Sequence, residues 1–576
     1  MDSLRKLIGV IFPVMDWGPK YSLGHLRSDV VAGTVVMFIT VPQVIAYAFL
    51  AGMPAEAGLY AAMMALLCYA IFGSSKALAV GPTAIIAMMT MEAASTYALP
   101  GEAGYSEIVV QLCVVTGLVL IVLRVINFGS VISFLSHAVV TGFITAAAIL
   151  IISNQFPLMI GLASSKDTSI VGVYSYLFTE FPTFNPSVVW VSMGAVALLV
   201  FCKTLLGPLL QRLNLAGAVV DSLVKSAPMY AVIVGVLTVQ FLSLDTTAGV
   251  PIVGEIPTRL PDLNIVIMEV EQLQNLLPSA LLIAMVIFME STSIGTAVAS
   301  KSRDKINPNQ ELVGLGVANL GSSLVGGFPV AGSFARTIVN FSSGAVSPVA
   351  SLVTAALVMI TILVFSSVFY HLPRGVLSAI IVISAWQLID ITAIRKIFSF
   401  NGTDAVTFSF TFLAVLSLGV ESGVLIGIAI SFVLLIRSSS KPHIAVVGRV
   451  GDSEHFRNIE RHDVRTALSV LALRVDESLY FVNTRYIETF IFNQIADSRE
   501  IEHVLLICTA TNFIDTSGLE MLEEVSENLA EVGVTLHLAE VKGPVMDKLK
   551  KTGFYSNMTG QVFFTTDIAM KELAGI

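Results

Sequence analysis

Apolar runs of about 20 residues recur through the first three quarters of the chain, separated by short polar stretches. This is the length that an α-helix needs to cross the hydrocarbon core of a bilayer. Fourteen candidate runs begin near Val30, Ala55, Pro82, Glu107, Val131, Pro186, Ala227, Leu277, Leu312, Pro329, Pro348, Gly375, Asp404 and Ser422. The third and the tenth are short for a full span. The pattern predicts an all-α polytopic membrane domain.

The basic residues indicate how these spans are oriented, because Lys and Arg collect in cytoplasmic loops. With the N-terminus in the cytoplasm, sixteen basic residues fall inside, and only Lys166, Arg259 and Arg374 fall outside. Arg336 stays within a span. An even number of spans returns the chain to the cytoplasm. We therefore expect a multi-pass protein of a cell inner membrane, with both termini in the cytoplasm.

Composition divides the chain into two parts. Of its 576 residues, 55% are apolar and 13% are charged, and the mean hydropathy is +0.83. These values exclude an ordinary soluble enzyme, a disordered chain and a nucleic-acid-binding protein. Residues 443–576 carry twelve Lys and Arg against twenty Asp and Glu, which is most of the net charge of −9. We expect a transmembrane domain over 1–440 and a soluble cytoplasmic domain over 441–576.

The sequence contains no motif for a cofactor, a metal or a catalytic centre. Its four cysteines lie far apart, so they form neither a zinc pattern nor a disulfide framework. The histidines are scattered and lack metal-ligand spacing. No Walker A sequence is present, so this chain does not drive transport with ATP. No nucleophile–base arrangement indicates an enzyme.

The two short spans are alike. Residues 79–84 are Ala-Val-Gly-Pro-Thr-Ala and residues 326–333 are Gly-Gly-Phe-Pro-Val-Ala-Gly-Ser. We predict that Pro82 and Pro329 occupy first helical positions, where the missing N–H does no harm. The segments are seven spans apart, an odd number, so a repeat of seven spans is inverted in the membrane. Two half-helix N-termini facing each other near the midplane make a positive pocket that suits an anion.

Several segments carry a resemblance to a known family. They are Thr40–Ala48, Leu50–Pro54, Gly58–Tyr60, Gly73–Ser75, Val80–Pro82, Phe288–Glu290, Asn307–Leu312 and Phe328–Thr337. Over nearly its whole length the chain resembles the sulfate permease (SulP) family of anion transporters. The resemblance implies fourteen segments in two inverted seven-segment repeats, divided into core and gate domains. It also implies a C-terminal STAS domain.

The C-terminal residues fit a STAS domain by their own pattern, because alternating strands and helices predict an α/β layer. The expected elements are strands 504–508 and 534–539 and helices 519–529 and 545–551. Ser517 lies in the loop 515–518, where the resemblance places the serine that is phosphorylated in anti-sigma antagonists. It is the candidate regulatory residue, although a serine ahead of a helix also suits an N-cap, the interpretation that we favour. The domain is expected to mediate homodimer contacts or regulation.

Glu290 is the candidate coupling residue. It follows Leu277 by 13 residues, about 20 Å along a helix, so we place it near the bilayer midplane. A carboxylate at that depth is costly and marks a functional site. The resemblance links this position to cation coupling, with glutamate typical of proton-coupled members and aspartate typical of sodium-coupled bicarbonate members. The alternative is a structural carboxylate paired with a cation or a helix end.

Arg336 is the one cation left inside a span, a turn or two after Pro329. The resemblance implies that an arginine here lies beside the anion site. Its fixed positive charge would then add to the attraction of the two helix N-termini for a dianion. The alternative is that Arg336 only neutralises Glu290 and never contacts substrate.

The remaining candidates come from three short segments. Gln43 and Tyr47 are four residues apart, so they share one helix face just after Pro42, and the resemblance implies that this part of span 1 lines the substrate pocket. Spans 3 and 10 would contribute backbone N–H groups and hydroxyls from their first residues. These residues are Thr83, Ala84, Ser333, Phe334 and Ala335. Ordinary packing of Tyr47 and simple capping by Thr83 and Ser333 are the alternatives.

These features predict a secondary transporter of a small inorganic anion, with sulfate taken up together with protons by alternating access. The expected partners are the anion, a proton or sodium as coupling ion, the lipid bilayer and a second copy of the chain, but no nucleic acid and no cofactor. A sodium–bicarbonate symporter, a chloride carrier and a dicarboxylate carrier are alternatives within the same class. A sensor or scaffold that does not transport, with the STAS domain as its output, is the alternative from another class.

Overall fold

The computed structural model describes residues 13–575 apart from 130–135, 164, 166–168, 215–216, 264 and 267. The predicted start of the fifth span at Val131 lies outside the described residues, as do Arg5, Lys6 and Lys166, which entered the orientation of the spans. The chain forms two compact units, Met1–Ile428 and Ala429–Ile576.

Each of the fourteen predicted runs overlaps a helix of the structure. The helices up to residue 440 are α1 (Leu23–Leu50), α2 (Ala55–Phe72), α3 (Ala84–Ser95), α4 (Tyr105–Val125), α5 (His137–Met159), α6 (Ile170–Glu180), α7 (Pro186–Phe201), α8 (Gly207–Arg212), α9 (Gly217–Lys225), α10 (Ala227–Leu242), α11 (Val270–Ser302), α12 (Pro308–Leu324), α13 (Phe334–Ser342), α14 (Val349–Ile360), α15 (Arg374–Trp386), α16 (Ile391–Phe400), α17 (Gly402–Leu418) and α18 (Val420–Ser440). Single turns of α-helix lie at Val14–Trp17 and Leu244–Thr247, 3₁₀ turns at Gly18–Lys20, Phe181–Thr183 and Ser366–Phe369, and π-helical turns at Cys202–Leu206 and Thr361–Phe365.

Not every helix is long enough to cross a bilayer alone. Within the described residues, nine helical stretches have the necessary length and apolar composition, and the bent pair Val219–Lys225 and Ala227–Leu242 makes a tenth. α3 has only 12 residues and α13 only nine, as expected for half-spans. The polytopic helical fold is confirmed, and the number of fourteen crossings stays a prediction.

The outer helices expose large apolar side chains. Trp190 is 79% exposed and Phe241 is 81% exposed, and Phe410 is also exposed. Large apolar side chains that are exposed in this way are unfavourable in water, whereas hydrocarbon accepts them. Since a helix satisfies its own backbone hydrogen bonds, these segments suit a lipid environment.

A buried carboxylate ties the second helix to the twelfth. Glu311, in the first turn of α12, is fully buried and accepts hydrogen bonds from Tyr69 Oη (2.7 Å) and from Ser74 N and Oγ (3.0 and 2.6 Å). A buried charge is tolerated when its lone pairs are satisfied in this way. Glu311 therefore has a structural role at the contact between α2 and α12.

Two short strands join distant parts of the membrane unit. β1 (Val80–Gly81) and β2 (Ala331–Gly332) pair antiparallel, with Val80 opposite Gly332. Each strand precedes a short helix, so the pairing brings the starts of α3 and α13 together. The sequence suggests this meeting of half-helices, although an all-helical pattern gives no sign of the strands.

The expected position of the two prolines is wrong. Pro82 precedes the N-cap Thr83, and Pro329 lies four residues ahead of the N-cap Ser333. Both N-cap residues have extended backbones. The chain remains extended through β1 and β2 and turns helical only after the strands have paired, so neither proline reaches a first helical position.

The second unit contains a mixed six-stranded sheet in the order β4-β3-β5-β6-β7-β8. Its strands are β3 (Ile444–Arg449), β4 (Phe456–Asn458), β5 (Val470–Val475), β6 (His503–Ile507), β7 (Thr535–Ala539) and β8 (Val562–Phe563), and its helices are α19 (Thr484–Ala496), α20 (Thr516–Glu531), α21 (Gly543–Lys551), α22 (Phe554–Asn557) and α23 (Thr566–Ala574). β5 to β8 run parallel, and β3 is antiparallel to β4 and β5. The predicted α/β layer is confirmed.

The N-cap of α20 is Asp515 and not Ser517. The Asp515 carboxylate accepts hydrogen bonds from Gly518 N at 2.8 Å and from Phe481 N at 3.0 Å. Ser517 is the second residue of the helix and is partly exposed. The capping interpretation of Ser517 is wrong, because the carboxylate two residues earlier already satisfies the helix end.

A histidine pair joins two parallel strands of this unit. Gln561 N donates to His537 Nδ1 at 3.1 Å, so the ring proton sits on Nε2, which lies 3.2 Å from His503 Nδ1. A second proton on His537 would face the N–H of Gln561. Burial and the neighbouring His503 lower the pKa of His537 from 6.5 to about 4.

We expect this pair to make the second unit less stable in acid. An unfolded His537 takes up a proton as the pH falls below 6.5, whereas the folded one does so only near pH 4. Between these values the free energy of unfolding should fall by up to roughly 1.4 kcal/mol per pH unit. Pulse proteolysis of the full-length protein in urea measures the free energy of unfolding at each pH. His537→Asn, which keeps an acceptor for Gln561, should flatten this pH dependence, and an equal slope in both proteins would contradict the assignment.

Candidate functional site

A cavity of about 320 Å³ lies at the start of the two half-helices. It is bounded by residues of α1, α3, α11, α13 and α15, among others. All predicted pocket residues except Arg336 line it, and so does the coupling candidate: Gln43, Tyr47, Thr83, Ala84, Glu290, Ser333, Phe334 and Ala335. This volume is at the lower end of the range for ligand sites, which suits a small ligand.

The half-helices leave their first N–H groups available at this cavity. Such groups have no intrahelical acceptor, and the helix end carries partial positive charge. Neither the Thr83 nor the Ser333 side chain accepts a capping hydrogen bond. Thr83 Oγ1 is buried and has no partner among the described residues. Simple capping therefore does not explain these residues, and their polar groups remain available to a bound anion.

Arg336 lies beside the cavity without lining it. Its side chain is buried, and Nη2 donates to the carbonyl of Pro82 at 2.7 Å. Nε and Nη1 have no hydrogen-bond partner among the described residues. The guanidinium, which belongs to α13, therefore fixes the start of α3 and places a positive charge behind the two helix N-termini.

Glu290 faces the same cavity from α11. Its Oε2 atom is buried without a hydrogen-bond partner. The charges of Glu290 and Arg336 interact, yet within the part of the chain that the structure describes they form no salt bridge. An unpaired carboxylate in an apolar setting is costly, so Glu290 is suited to carry a proton rather than a permanent charge.

Gln43 and Tyr47 project from one face of α1, as their spacing predicts. Gln43 Nε2 lies 3.5 Å from Ser384 Oγ, and Gln43 Oε1 has no partner in the described structure. Tyr47 is buried against the cavity. The amide can turn its NH₂ group toward an anion when one is bound.

Four further polar residues line the cavity and were not expected there: Lys203 in the π-helical turn, Lys225 at the end of α9, Ser384 on α15 and Gln387 directly after α15. Ser384 is one of the few polar residues in a mostly apolar helix, a signal that could have identified it. Lys225 Nζ donates to Ser342 Oγ at 2.6 Å, which joins α9 to the end of α13. From the sequence, these two lysines contributed only to the predicted orientation of the spans.

No group of His, Cys, Asp and Glu that could hold a metal ion occurs among the described residues. All four cysteines are free thiols. The polar atoms of the cavity are hydroxyl, amide, carboxyl and ammonium groups with helix N-termini, which is a set that binds anions and protons.

Family profiles decide where this chain belongs. The profile of the sulfate permease family matches residues 26–411, two thirds of the chain, and that of the STAS domain matches residues 461–569. The chain belongs to the sulfate permease family. It is an anion transporter, not an enzyme, with a C-terminal STAS domain. The predicted resemblance is confirmed.

Relatives and solved structures agree with this assignment. Sulfate transporter 4.1, chloroplastic, of Arabidopsis thaliana is 28% identical over 570 residues, which cover 97% of this chain and 81% of the relative. The murine Solute Carrier 26 family member A9 anion transporter in the inward-facing state has a TM-score of 0.88 at 23% identity, covering 98% of this chain and 94% of its own. The transmembrane domain of the cyanobacterium bicarbonate transporter BicA has a TM-score of 0.59 at 21% identity, covering 71% and 98%. The two structural likenesses show the fold.

Proposed function

We propose that this family member takes up sulfate together with protons by alternating access. The anion would lie between the N-termini of α3 and α13, with Arg336 behind it and Gln43 and Tyr47 at its side. Residues 1–440 would form the transport domain of an inner-membrane protein with cytoplasmic termini. Residues 441–576 would form a STAS domain that mediates dimer contacts or regulation through Ser517.

The observation that carries this proposal is a set of buried polar groups without partners that lie at one cavity or directly behind it. Thr83 Oγ1 and two nitrogens of Arg336 have no hydrogen-bond partner among the described residues. Buried polar groups in folded proteins are nearly always satisfied. A tetrahedral dianion has enough acceptor oxygens to satisfy Thr83 together with the free N–H groups of the half-helices, and the positive charge of Arg336 behind them would stabilise it.

Glu290 provides a physical reason for proton coupling. An ionised Glu290 repels a dianion in the same small cavity, and a proton on the carboxylate removes that repulsion. Proton and sulfate therefore favour each other's binding, and the coupling is reciprocal. A pocket with mostly fixed positive groups and one titratable carboxylate supports symport of an anion with a proton.

The decisive measurement is uptake of radiolabelled sulfate by full-length protein in proteoliposomes. Each pH unit across the membrane is worth about 1.4 kcal/mol per proton, so two units can concentrate sulfate up to about 100-fold per coupled proton with the potential clamped. We expect uptake to rise with an inward proton gradient and to fall when a protonophore collapses it. Uptake of equal rate with and without the gradient would overturn proton coupling.

Absence of sulfate uptake under both conditions would overturn the substrate assignment. The same vesicles then test bicarbonate with a sodium gradient, followed by chloride and dicarboxylates. A protein that moves none of these anions would be the non-transporting sensor with STAS output.

A further inference from the structure

Ser291, the residue after the coupling candidate Glu290, connects α11 to the strand crossing. Its side chain is fully buried, and its Oγ accepts a hydrogen bond from Gly332 N at 2.8 Å. Gly332 ends β2 and immediately precedes Ser333, the N-cap of the half-helix α13. A single hydroxyl thus links the helix of the coupling carboxylate to the strand that positions the anion-binding N–H groups.

The backbones at this contact lie unusually close. A Cβ atom on Gly332 would lie 3.1 Å from Ser291 Cα and 2.9 Å from Leu78 Cδ1. Glycine is needed here because any side chain would push β2 away from α11. The Ser291 hydroxyl satisfies an N–H that would otherwise be buried without an acceptor.

Other hydrogen bonds make the crossing itself a rigid unit. Ser333 N donates to Ala79 O at 3.0 Å, and Ala79 N donates to Thr337 Oγ1 at 3.0 Å. Asn340 Nδ2 donates to Ala77 O at 2.9 Å. The starts of α3 and α13 therefore move together. Among the hydrogen bonds of the described residues, the bond from Gly332 to Ser291 is the one that joins this unit to α11.

We propose that Ser291 is a positioning residue that couples the protonation of Glu290 to the geometry of the anion site. This inference rests on the proposed function. A change in the charge of Glu290 shifts the adjacent turn of α11, and the Ser291 hydroxyl transmits the shift to β2 and so to the N–H groups of α13. Shifts well below 1 Å alter binding when groups must be held in a fixed geometry.

The test is Ser291→Ala in the full-length protein, with sulfate uptake measured from pH 5.5 to 7.5. We expect KM for sulfate to rise several-fold with a nearly unchanged maximal rate. The fold-change in KM across this pH range should shrink to less than half of the wild-type value. Ser291→Thr keeps the hydroxyl and should restore the pH profile, whereas Ser293→Ala, on an exposed position of the same helix, should behave as wild type.

A second measurement does not depend on sulfate. Hydrogen exchange followed by mass spectrometry reports the protection of the amides of 331–335. In the wild-type background Glu290→Gln should change this protection, and Ser291→Ala should abolish the change. Failure of the wild-type protein to take up sulfate would overturn the proposed function and leave this test of Ser291 intact.

Three outcomes would overturn the inference. One is a Ser291→Ala protein with the wild-type pH profile. Another is a Ser291→Thr protein that fails to restore the profile although it is folded. The third is an exchange response to Glu290→Gln that persists without the Ser291 hydroxyl.

Discussion

Replacement of Arg336 by glutamine is expected to raise KM for sulfate by about 100-fold or more, or to abolish uptake. The substitution removes the bond to the Pro82 carbonyl at 2.7 Å and the positive charge behind the half-helices. Loss of a buried, hydrogen-bonded charge from a binding site typically costs about 2–5 kcal/mol, and each 1.4 kcal/mol is about tenfold in affinity. Arg336→Lys keeps the charge without the planar fork and should give an intermediate KM.

A double variant separates the two roles open to Arg336. If its only task is to neutralise Glu290, Arg336→Gln combined with Glu290→Gln should regain rapid uptake without a proton requirement. If Arg336 supplies potential to the anion site, the double variant should stay as poor as Arg336→Gln alone. We expect the second result, since the two side chains form no salt bridge in the described structure and Arg336 contacts the start of α3 instead. Size-exclusion profiles of both proteins check that they are folded.

Replacement of Glu290 by glutamine should uncouple sulfate uptake from the proton gradient. The amide mimics the protonated carboxyl, so the repulsion of a dianion is permanently removed. Sulfate should still exchange across the membrane, with KM at pH 7.5 close to the wild-type value at pH 5.5. In the wild type, a gradient of two pH units can concentrate sulfate up to about 100-fold per coupled proton. In the Glu290→Gln protein the gradient should drive no accumulation of sulfate.

The matched control for this variant is Glu107→Gln. Glu107 is an exposed carboxylate in the first turn of α4, and its removal should leave the pH dependence intact. Uptake by the Glu290→Gln protein that still rises with the proton gradient would show that another group carries the proton. Ser291→Ala should share the reduced pH dependence of Glu290→Gln but not its low KM, because it leaves the carboxylate and breaks the connection of α11 to β2.

Much of this site could be predicted from local sequence. The four-residue spacing of Gln43 and Tyr47 fixes their common face, and the repeat of small residues around Pro82 and Pro329 marks the two half-helices. These signals are local, since a helix turn or a chain bend depends on neighbouring residues. The common face and the two half-helices are both present in the structure, but the half-helices begin after the prolines and not at them.

Contacts between distant segments could not be predicted in the same way. The lining by Lys225 depends on how α9 packs, and nothing in its own segment encodes that. The absence of capping by Thr83 follows from the pairing of β1 with a strand far along the chain. In the STAS domain, both Asp515 and Ser517 are acceptable caps by residue type, and only the geometry of the loop selects the carboxylate.

The β1–β2 pairing sets an order for assembly. Val80 and Gly332 are partners although 252 positions separate them along the chain. During synthesis the first repeat enters the membrane with its strand unpaired, because domains and repeats emerge N-terminal first. The carbonyl of Pro82 and the amide of Ala79 have no partner until Arg336 and Thr337 have been synthesised and inserted. The anion site is therefore among the last parts of the membrane unit to form. A ligand that binds this site stabilises only the state in which both halves are assembled.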